Sequence, residues 1–155
     1  MPNHCYNRVT ISAREGKEDQ FKKLVEIFES DTPFETLYPS PDWPNTPNDK
    51  GELPELKEYK NPKGEVFTTT YEFPGGINDD RWYNWRVANW GTKWEAYDQS
   101  EGDIDKECGY AEFTFNTAWA PATGIYEAIV EKFPDVGISW FYDEPGCELA
   151  GYLPD

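Results

Sequence analysis

Alternating and periodic hydrophobic positions predict a strand followed by a helix at the start of the chain. Cys5 to Ala13 alternates in strand fashion, with Tyr6 or Val9 and Ile11 as candidates for the buried side. Lys17 to Ser30 has the periodicity of an amphipathic helix. The apolar stripe of this helix consists of Phe21, Leu24, Val25 and Phe28. The N-terminal part therefore predicts one β–α unit.

The same order of elements recurs near the end of the chain. Cys108 to Thr117 predicts a strand, and Pro121 suits the first turn of the helix that follows. The strand carries three aromatic residues, Tyr110, Phe113 and Phe115. The apolar stripe of the helix consists of Ile125, Ala128, Ile129 and Phe133. Val136 to Tyr142 predicts a further strand, and Cys147 to Tyr152 predicts an edge strand after a turn.

A proline-rich segment separates the two β–α units. Pro39 to Pro74 holds seven of the thirteen prolines, which exclude a regular helix. Asn61 to Gly64 has the residues of a type I turn and would join Leu56–Lys60 to Glu65–Phe73 as a hairpin. One face of this hairpin would carry Phe67, Thr69, Tyr71 and Phe73. Trp43 is either the aromatic anchor of a binding arm or a packed loop residue.

A helix rich in tryptophan follows the proline-rich segment. Asn78 or Asp79 is placed to cap its start, and the helix runs to about Asn89. Gly91 stands where a left-handed residue commonly ends a helix. This helix is additional to the two β–α units.

Two similar halves define the predicted fold. Thr92 to Tyr97 predicts a strand, and Asp98 to Glu107 predicts a polar loop. Leu24–Phe28 aligns with Ile129–Phe133 at an offset of 105 residues, so the two β–α units are similar in sequence. Two such halves satisfy the ferredoxin-like βαββαβ arrangement, an antiparallel sheet with two helices on one face. We therefore predict one α+β domain over residues 1–155, with a long Pro-rich insertion at about 39–78 and an extra Trp-rich helix.

The composition predicts a folded and strongly acidic chain. Its 155 residues carry a formal net charge of -16, and 17% of them are aromatic. Each aromatic side chain buries about 150–250 Å2, so this content is enough to build a core. The net charge disfavours broad nucleic-acid binding, because an acidic surface repels phosphate. A solvated acidic surface, a cationic partner and imitation of nucleic acid by carboxylates all fit this charge.

Cysteine usage and the N-terminus predict a cytoplasmic protein. Cys5, Cys108 and Cys147 form no CxxC pair, and an odd number without an export signal predicts reduced thiols. No apolar run approaches the ~20 residues that span a membrane, so no membrane partner is expected.

The most distinctive segment is both cationic and aromatic. Between Asp80 and Trp94 lie four of the seven tryptophans, together with Arg81, Arg86 and Lys93. The tryptophans either cover the core or form an exposed surface, since Trp, Tyr and Arg are enriched in binding hot spots. As a binding surface, the predicted set is Trp43, Arg81, Trp82, Trp85, Arg86, Asn89, Trp90 and Lys93.

Part of this segment resembles a known family. Trp85–Trp94 is similar to the NWGTKW signature of the YubB-like family, small proteins with a ferredoxin-like domain from bacteriophages, plasmids and their hosts. Asn3–Asn7, Phe115–Pro121 and Ala150–Gly151 resemble looser family segments, although Ala122 stands where a second proline is expected. The resemblance implies a ferredoxin-like fold, a mobile-element origin and the bacterial host cytoplasm. It implies no particular activity.

Catalytic and metal-binding chemistry have little support in the sequence. His4 is the only histidine, and an activated thiol at Cys5 beside it lacks an identifiable third partner. Asp98–Glu107 does not fit a calcium loop, because Cys108 and Thr114 stand where Gly and Glu are needed. We expect no catalytic residue, no metal and no cofactor. An iron–sulfur cluster is not expected either, since it needs grouped cysteine ligands.

These patterns favour a non-catalytic protein that binds a host protein. In one version, the acidic chain inhibits a host factor by occupying a nucleic-acid-binding site. The alternative is a module for RNA or single-stranded nucleic acid that displays Tyr110, Phe113 and Phe115 to bases, although the net charge disfavours it. The sequence does not determine the oligomeric state.

Overall fold

The computed structural model describes residues 3–154, which form two antiparallel sheets and four α-helices. In chain order the elements are β1 (His4–Ala13), α1 (Glu18–Glu29), α2 (Pro33–Leu37), β2 (Glu55–Lys60), β3 (Val66–Phe73), β4 (Ile77–Asn78), α3 (Arg81–Asn89), β5 (Tyr97–Asp105), β6 (Tyr110–Ala118), α4 (Thr123–Lys132), β7 (Val136–Glu144) and β8 (Leu149–Tyr152). One sheet has the strand order β5-β6-β1-β7-β8, and the other has the order β2-β3-β4.

The five-stranded sheet has ferredoxin-like connectivity. Its strands and two of the helices occur along the chain in the order β1, α1, β5, β6, α4 and β7, which is the βαββαβ pattern, with other elements between α1 and β5. Every neighbouring strand pair is antiparallel. Strand β8 returns beside β7 and forms one edge of the sheet. The predicted α+β fold class is confirmed.

Helices α1, α2 and α4 pack on one face of this sheet. Phe115 of β6 stacks on Phe28 of α1 at a centroid distance of 6.1 Å and meets Phe34 of α2 edge-on at 5.7 Å. Trp140 of β7 contacts Phe115 at 5.6 Å and Tyr126 of α4 at 6.3 Å. These contacts place the aromatic core between the sheet and the three helices.

Strand β1 alternates between this covered face and a second face. Cys5, Asn7, Val9 and Ile11 are fully buried, whereas Tyr6 is 40% exposed. The predicted alternation is confirmed, with Val9 and Ile11 as the inward residues.

A buried amide ties three strands of the core together. The Asn7 side chain donates to the Cys5 carbonyl at 3.0 Å and to the Thr117 hydroxyl at 2.9 Å. Its Oδ1 accepts a hydrogen bond from Trp140 Nε1 at 2.9 Å. A buried polar group left without partners costs about 1–3 kcal/mol, so this satisfied network fixes how β1, β6 and β7 meet.

The chain divides into two compact units. The larger, called the sheet unit, comprises the described residues up to Pro39 and from Arg86 onward. The smaller, Ser40–Trp85, is called the insertion unit and contains β2, β3 and β4. Its predicted hairpin is confirmed, because β2 pairs antiparallel with β3 and the Gly64 N–H donates to the Asn61 carbonyl at 2.9 Å to close the turn.

Two predictions next to α3 are wrong. Asp98–Glu107, predicted to be a polar loop, forms most of strand β5, and Thr92–Tyr97, predicted to be a strand, is mostly a bend before it. Hydrogen bonding to β6 overrides the low strand propensity of aspartate and glycine. The pairing of β5 with β6 is irregular, with two register shifts along the strand.

Candidate functional site

The predicted binding residues divide between the two units. The boundary falls inside α3, between Trp85 and Arg86. The insertion unit holds Trp43, Arg81, Trp82 and Trp85, and the sheet unit holds Arg86, Asn89, Trp90 and Lys93.

Trp90 is a core residue of the sheet unit. Its side chain is 0% exposed and meets Phe34 edge-on at 5.8 Å. Its Nε1 donates to the Tyr38 carbonyl at 2.8 Å, while the Tyr38 hydroxyl donates to Asn89 Oδ1 at 2.9 Å. The prediction that Trp90 contributes to an exposed binding surface is wrong, because the ring and its polar edge are both engaged inside the protein.

Gly91 and Thr92, which follow Trp90, pack against residues at the end of β6 and the start of α4. Gly91 has φ of +90°, and a Cβ at this position would lie 2.9 Å from the Thr123 nitrogen. The predicted left-handed glycine is confirmed, and no other residue fits it without a clash. The Thr92 hydroxyl donates to the Ala118 carbonyl at 2.9 Å and accepts from the Ala118 N–H at 3.1 Å.

Glu95 holds the start of α2. One of its carboxylate oxygens accepts from the Phe34 N–H at 2.8 Å and the other from the Glu35 N–H at 3.0 Å. Burial raises the pKa of Glu95, and these backbone hydrogen bonds oppose the rise. No local sequence pattern predicts this cap, since the partners lie about sixty residues apart.

Two cations of the segment stack on tryptophans within the sheet unit. The Arg86 Cζ lies 4.6 Å from the Trp90 ring centroid, and its Nη1 donates to the Lys93 carbonyl at 3.4 Å. The Lys93 Nζ lies 4.7 Å from the Trp94 ring. These distances are typical of cation–π pairs, so both cations take part in local packing.

Arg81 is the centre of the insertion unit. Its guanidinium binds both oxygens of Asp79, at 2.8 and 2.9 Å, and donates to the carbonyls of Trp43 and Pro47 at 3.1 and 3.2 Å. Its Cζ also lies 4.8 Å from the Trp43 ring and 5.0 Å from the Phe73 ring. The Arg81 guanidinium lowers the pKa of Asp79. The hydrogen bonds of Arg81 thus join the proline-rich loop to Asp79, which directly follows β4, and its ring contact reaches Phe73 at the end of β3.

The remaining tryptophans of the predicted surface are half-buried. Trp43 meets Trp85 edge-on at 6.4 Å, and Trp82 meets Tyr83 at 5.7 Å, all within the insertion unit. A direct role of Trp43, Trp82 and Trp85 in binding stays a prediction.

A cleft at the edge of the sheet unit has an aromatic floor and an acidic rim. It lies between the end of α1 and strands β5 and β6 and has a volume of about 200 Å3. Its floor consists of Phe28, Phe113 and Phe115, and its rim carries the carboxylates of Glu29, Asp31 and Glu101. We call this the acidic cleft.

Helix α1 adds to the negative potential at the acidic cleft. The helix ends at Glu29 with no basic residue in its last turn. The carbonyl end of a helix carries a partial negative charge and attracts cations. Gln99 of β5 donates to the Ser30 carbonyl at 2.9 Å. Lys106 forms an ion pair with Glu29 at 3.6 Å and offsets part of the charge of this carboxylate, which leaves Asp31 and Glu101 as the rim carboxylates outside that pair. The arrangement suits a cation with an apolar stem, because the stem contacts the phenylalanines while the charge meets the carboxylates.

Sequence reasoning missed the acidic cleft. Asp98–Glu107 was expected to be a solvated loop, so Glu101 was not placed beside the C-terminus of α1. The alternation of β6 does place Phe113 and Phe115 on one side, but the chain segment that faces them becomes known only from the strand order.

The aromatic residues proposed for base stacking do not share one exposed surface. Phe113 is 3% exposed and Phe115 is 2% exposed, because both face the helices, whereas Tyr110 is 37% exposed. The nucleic-acid alternative therefore loses two of its three predicted stacking residues.

The pKa values of the three thiols are all raised. Burial raises the pKa of the Cys5 thiol to about 11, so it carries little thiolate at neutral pH. A hydrogen bond to Asp105 raises the pKa of Cys108, and one to Glu144 raises the pKa of Cys147. Within residues 3–154, no group of three or more His, Cys, Asp or Glu side chains is placed to hold a metal ion.

Comparisons with known proteins agree with this architecture. None of the helices in the described part of the chain is long and apolar enough to cross a membrane. No curated protein and no solved structure matched the chain. Residues 89–153 match a family model described as a ferredoxin-like domain in Api92-like protein, and the YubB-like resemblance is not confirmed by this match. The C-terminal part of the chain is thus similar to the ferredoxin-like domain of Api92-like proteins.

Proposed function

We propose that this chain is a non-catalytic accessory protein of a bacteriophage or other mobile element, which binds a basic host protein through the acidic cleft. The observation that carries the proposal is the position of Glu29, Asp31 and Glu101 around a floor of buried phenylalanines. The occupant is a lysine or arginine side chain of the partner.

The charge of the chain supports this choice of partner. With a formal net charge of -16, the protein attracts a basic surface over several ångströms and accelerates its association. The exposed strand β5 extends the acidic region, since Asp98, Glu101, Asp103 and Asp105 lie along this edge of the sheet. A carboxylate row at a sheet edge also discourages pairing with another strand. The partner is therefore expected to bind through side chains more than through backbone addition.

Inhibition follows if the basic surface of the partner normally binds nucleic acid. The carboxylates around the cleft would then occupy positions that phosphates otherwise take. Counter-defence against a nucleic-acid-binding host factor is the version that we favour.

Affinity capture from a bacterial host lysate tests the proposal. We expect the tagged chain to retain one basic protein in stoichiometric amount, before and after nuclease treatment. The retained amount should fall as salt rises from about 50 to 500 mM, because exposed charges are then screened. Capture that disappears with nuclease would contradict the proposal and favour nucleic-acid binding.

A charge-matched pair of variants locates the site. Glu29→Gln/Asp31→Asn/Glu101→Gln removes the rim carboxylates and should reduce affinity for the captured protein about tenfold or more. The control variant Glu15→Gln/Glu26→Gln/Glu148→Gln changes three exposed carboxylates elsewhere in the sheet unit. Its net charge equals that of the first variant. Equal loss in both variants would mean that net charge alone drives binding and would reject the cleft.

A further inference from the structure

A lysine of this chain already forms an ion pair at the rim of the acidic cleft. The Lys106 Nζ lies 3.6 Å from Glu29 Oε1, and both side chains remain partly accessible to solvent. Glu29 is the last residue of α1, whose final turn contains no basic residue. The carbonyl end of a helix favours a nearby cation, so Lys106 supplies from another element the positive charge that α1 itself lacks.

The turn between β5 and β6 fixes the backbone of Lys106 at this place. Asp105 Oδ1 accepts hydrogen bonds from the backbone N–H groups of Glu107 and Cys108, at 3.1 and 3.0 Å. The Lys106 side chain, in contrast, is 56% exposed. The fold therefore places the lysine beside the acidic cleft, and its long side chain is free to move away when another cation replaces it.

The other two carboxylates of the rim have no such partner. Asp31 and Glu101 line the acidic cleft and form no ion pair within residues 3–154. A cation that enters the cleft thus meets two open carboxylates and a third that is already paired. Because Glu29 also holds the Lys106 ammonium beside the rim, the entering cation is repelled by a like charge a few ångströms away. Both effects lower the affinity of the cleft for a cation.

We propose that Lys106 is a built-in competitor that weakens cation binding to the acidic cleft. The inference rests on the proposed function, because it takes the occupant of the cleft to be a lysine or arginine side chain. In the free protein Lys106 pairs with Glu29, and in the complex the cation of the partner replaces it there.

The size of the effect follows from the exposure of the pair. Ion pairs that are open to solvent are weak, so release of Glu29 from Lys106 should raise the affinity of the cleft only about two- to fivefold. The pair therefore reduces binding without preventing it.

Titration of the full chain with N-acetyl-lysine amide measures cation binding to the acidic cleft. The backbone NMR signals of Ser30, Gln99 and Thr114, which line the cleft, report the binding. The probe carries one charge, on its side-chain ammonium, and N-acetyl-glutamine amide is the uncharged control. We expect the charged probe to shift these signals to saturation and the control to leave them unchanged. Absence of binding by the charged probe, to the wild type and to Lys106→Gln alike, overturns this inference together with the cation site of the proposed function.

A matched pair of variants isolates the role of Lys106. Lys106→Gln should bind the charged probe about two- to fivefold more tightly than the wild type does. Lys17→Gln removes the same charge just before α1, at the end of the helix opposite Glu29, and breaks a similarly exposed ion pair with Asp135 at 3.8 Å. The gain in this control should be clearly smaller. An equal gain in both variants overturns the competitor but leaves the acidic cleft as a cation site, so the two proposals fail separately.

A double-mutant cycle assigns the effect to the ion pair. In a Glu29→Gln background, Lys106→Gln should increase the affinity for the charged probe no more than Lys17→Gln does. Circular dichroism checks that each variant is folded. A gain from Lys106→Gln that persists in full without the Glu29 carboxylate would show that Lys106 does not compete for Glu29, and this result overturns the inference.

Discussion

The sheet unit and the insertion unit use aromatic residues in opposite ways. In the sheet unit, Trp90 and Trp140 are fully buried between a sheet and three helices. In the insertion unit, aromatic side chains of the three-stranded sheet remain open to solvent, among them Phe67, which is 66% exposed, and Tyr71, which is 41% exposed. The same residue types thus build a core in one unit and an exposed surface in the other.

The difference follows from size and layering. A sheet buries its apolar side only against another layer, and a unit of fewer than about fifty residues has little interior. The insertion unit is instead held by Arg81, whose ion pair, carbonyl contacts and ring contacts join its loop to its hairpin. The contacts of Arg81 thus stabilise the insertion unit in place of a large hydrophobic core. The two units should therefore respond differently to substitution of their anchoring residues.

Removal of the Trp90 side chain should have the largest effect. Trp90→Ala leaves a cavity in the core and removes the hydrogen bond to Tyr38, so the free energy of unfolding should fall by about 3–5 kcal/mol. Denaturant unfolding followed by circular dichroism measures this loss. The control Tyr83→Ala changes a 42% exposed aromatic residue and should cost less than about 1 kcal/mol. Similar losses in both variants would mean that Trp90 is not a core anchor.

Replacement of Arg81 should loosen only the insertion unit. Arg81→Lys keeps the charge but cannot bind both oxygens of Asp79 or stack a planar group on Trp43, and it should cost about 1–3 kcal/mol of local opening free energy. Hydrogen exchange should accelerate in β2 and β3, with β1 unchanged. Equal acceleration in β1 would show that the units do not open separately.

Titration of Glu95 should give the smallest effect and is confined to the sheet unit. Its folded-state pKa is raised above the ordinary value of 4.5, so the folded state binds more protons in the interval between the two values. The contribution of Glu95 to stability is therefore fully present below pH 4.5 and decreases as the pH rises through the folded pKa. Glu95→Gln should remove this component from the pH profile of unfolding. An identical profile in both proteins would contradict the assigned shift.

Much of the sheet unit could be predicted because its signals are local. The alternation in β1 and the apolar stripes of α1 and α4 predict which residues are buried. A glycine directly after a helix predicts the left-handed conformation that Gly91 adopts. The antiparallel fold class followed from the order of these elements. The turn at Asn61–Gly64 was predictable for the same reason.

The parts that depend on distant partners could not be predicted. Strand β5 consists of residues with low strand propensity and forms only because β6 lies beside it. The Glu95 cap, the buried ring of Trp90 and the rim of the acidic cleft each join residues far apart in the sequence. Aromatic content alone could not distinguish a core tryptophan from a surface one.

Quantitative capture from host lysate by two variants tests the proposed function most directly. One variant, Glu29→Gln/Asp31→Asn/Glu101→Gln, removes the rim of the acidic cleft, and the other, Trp82→Ala/Lys93→Gln, alters the tryptophan segment. We predict that the first loses the basic partner and that the second retains it at the wild-type level. Retention by the first and loss by the second would contradict the account and place binding on the tryptophan segment.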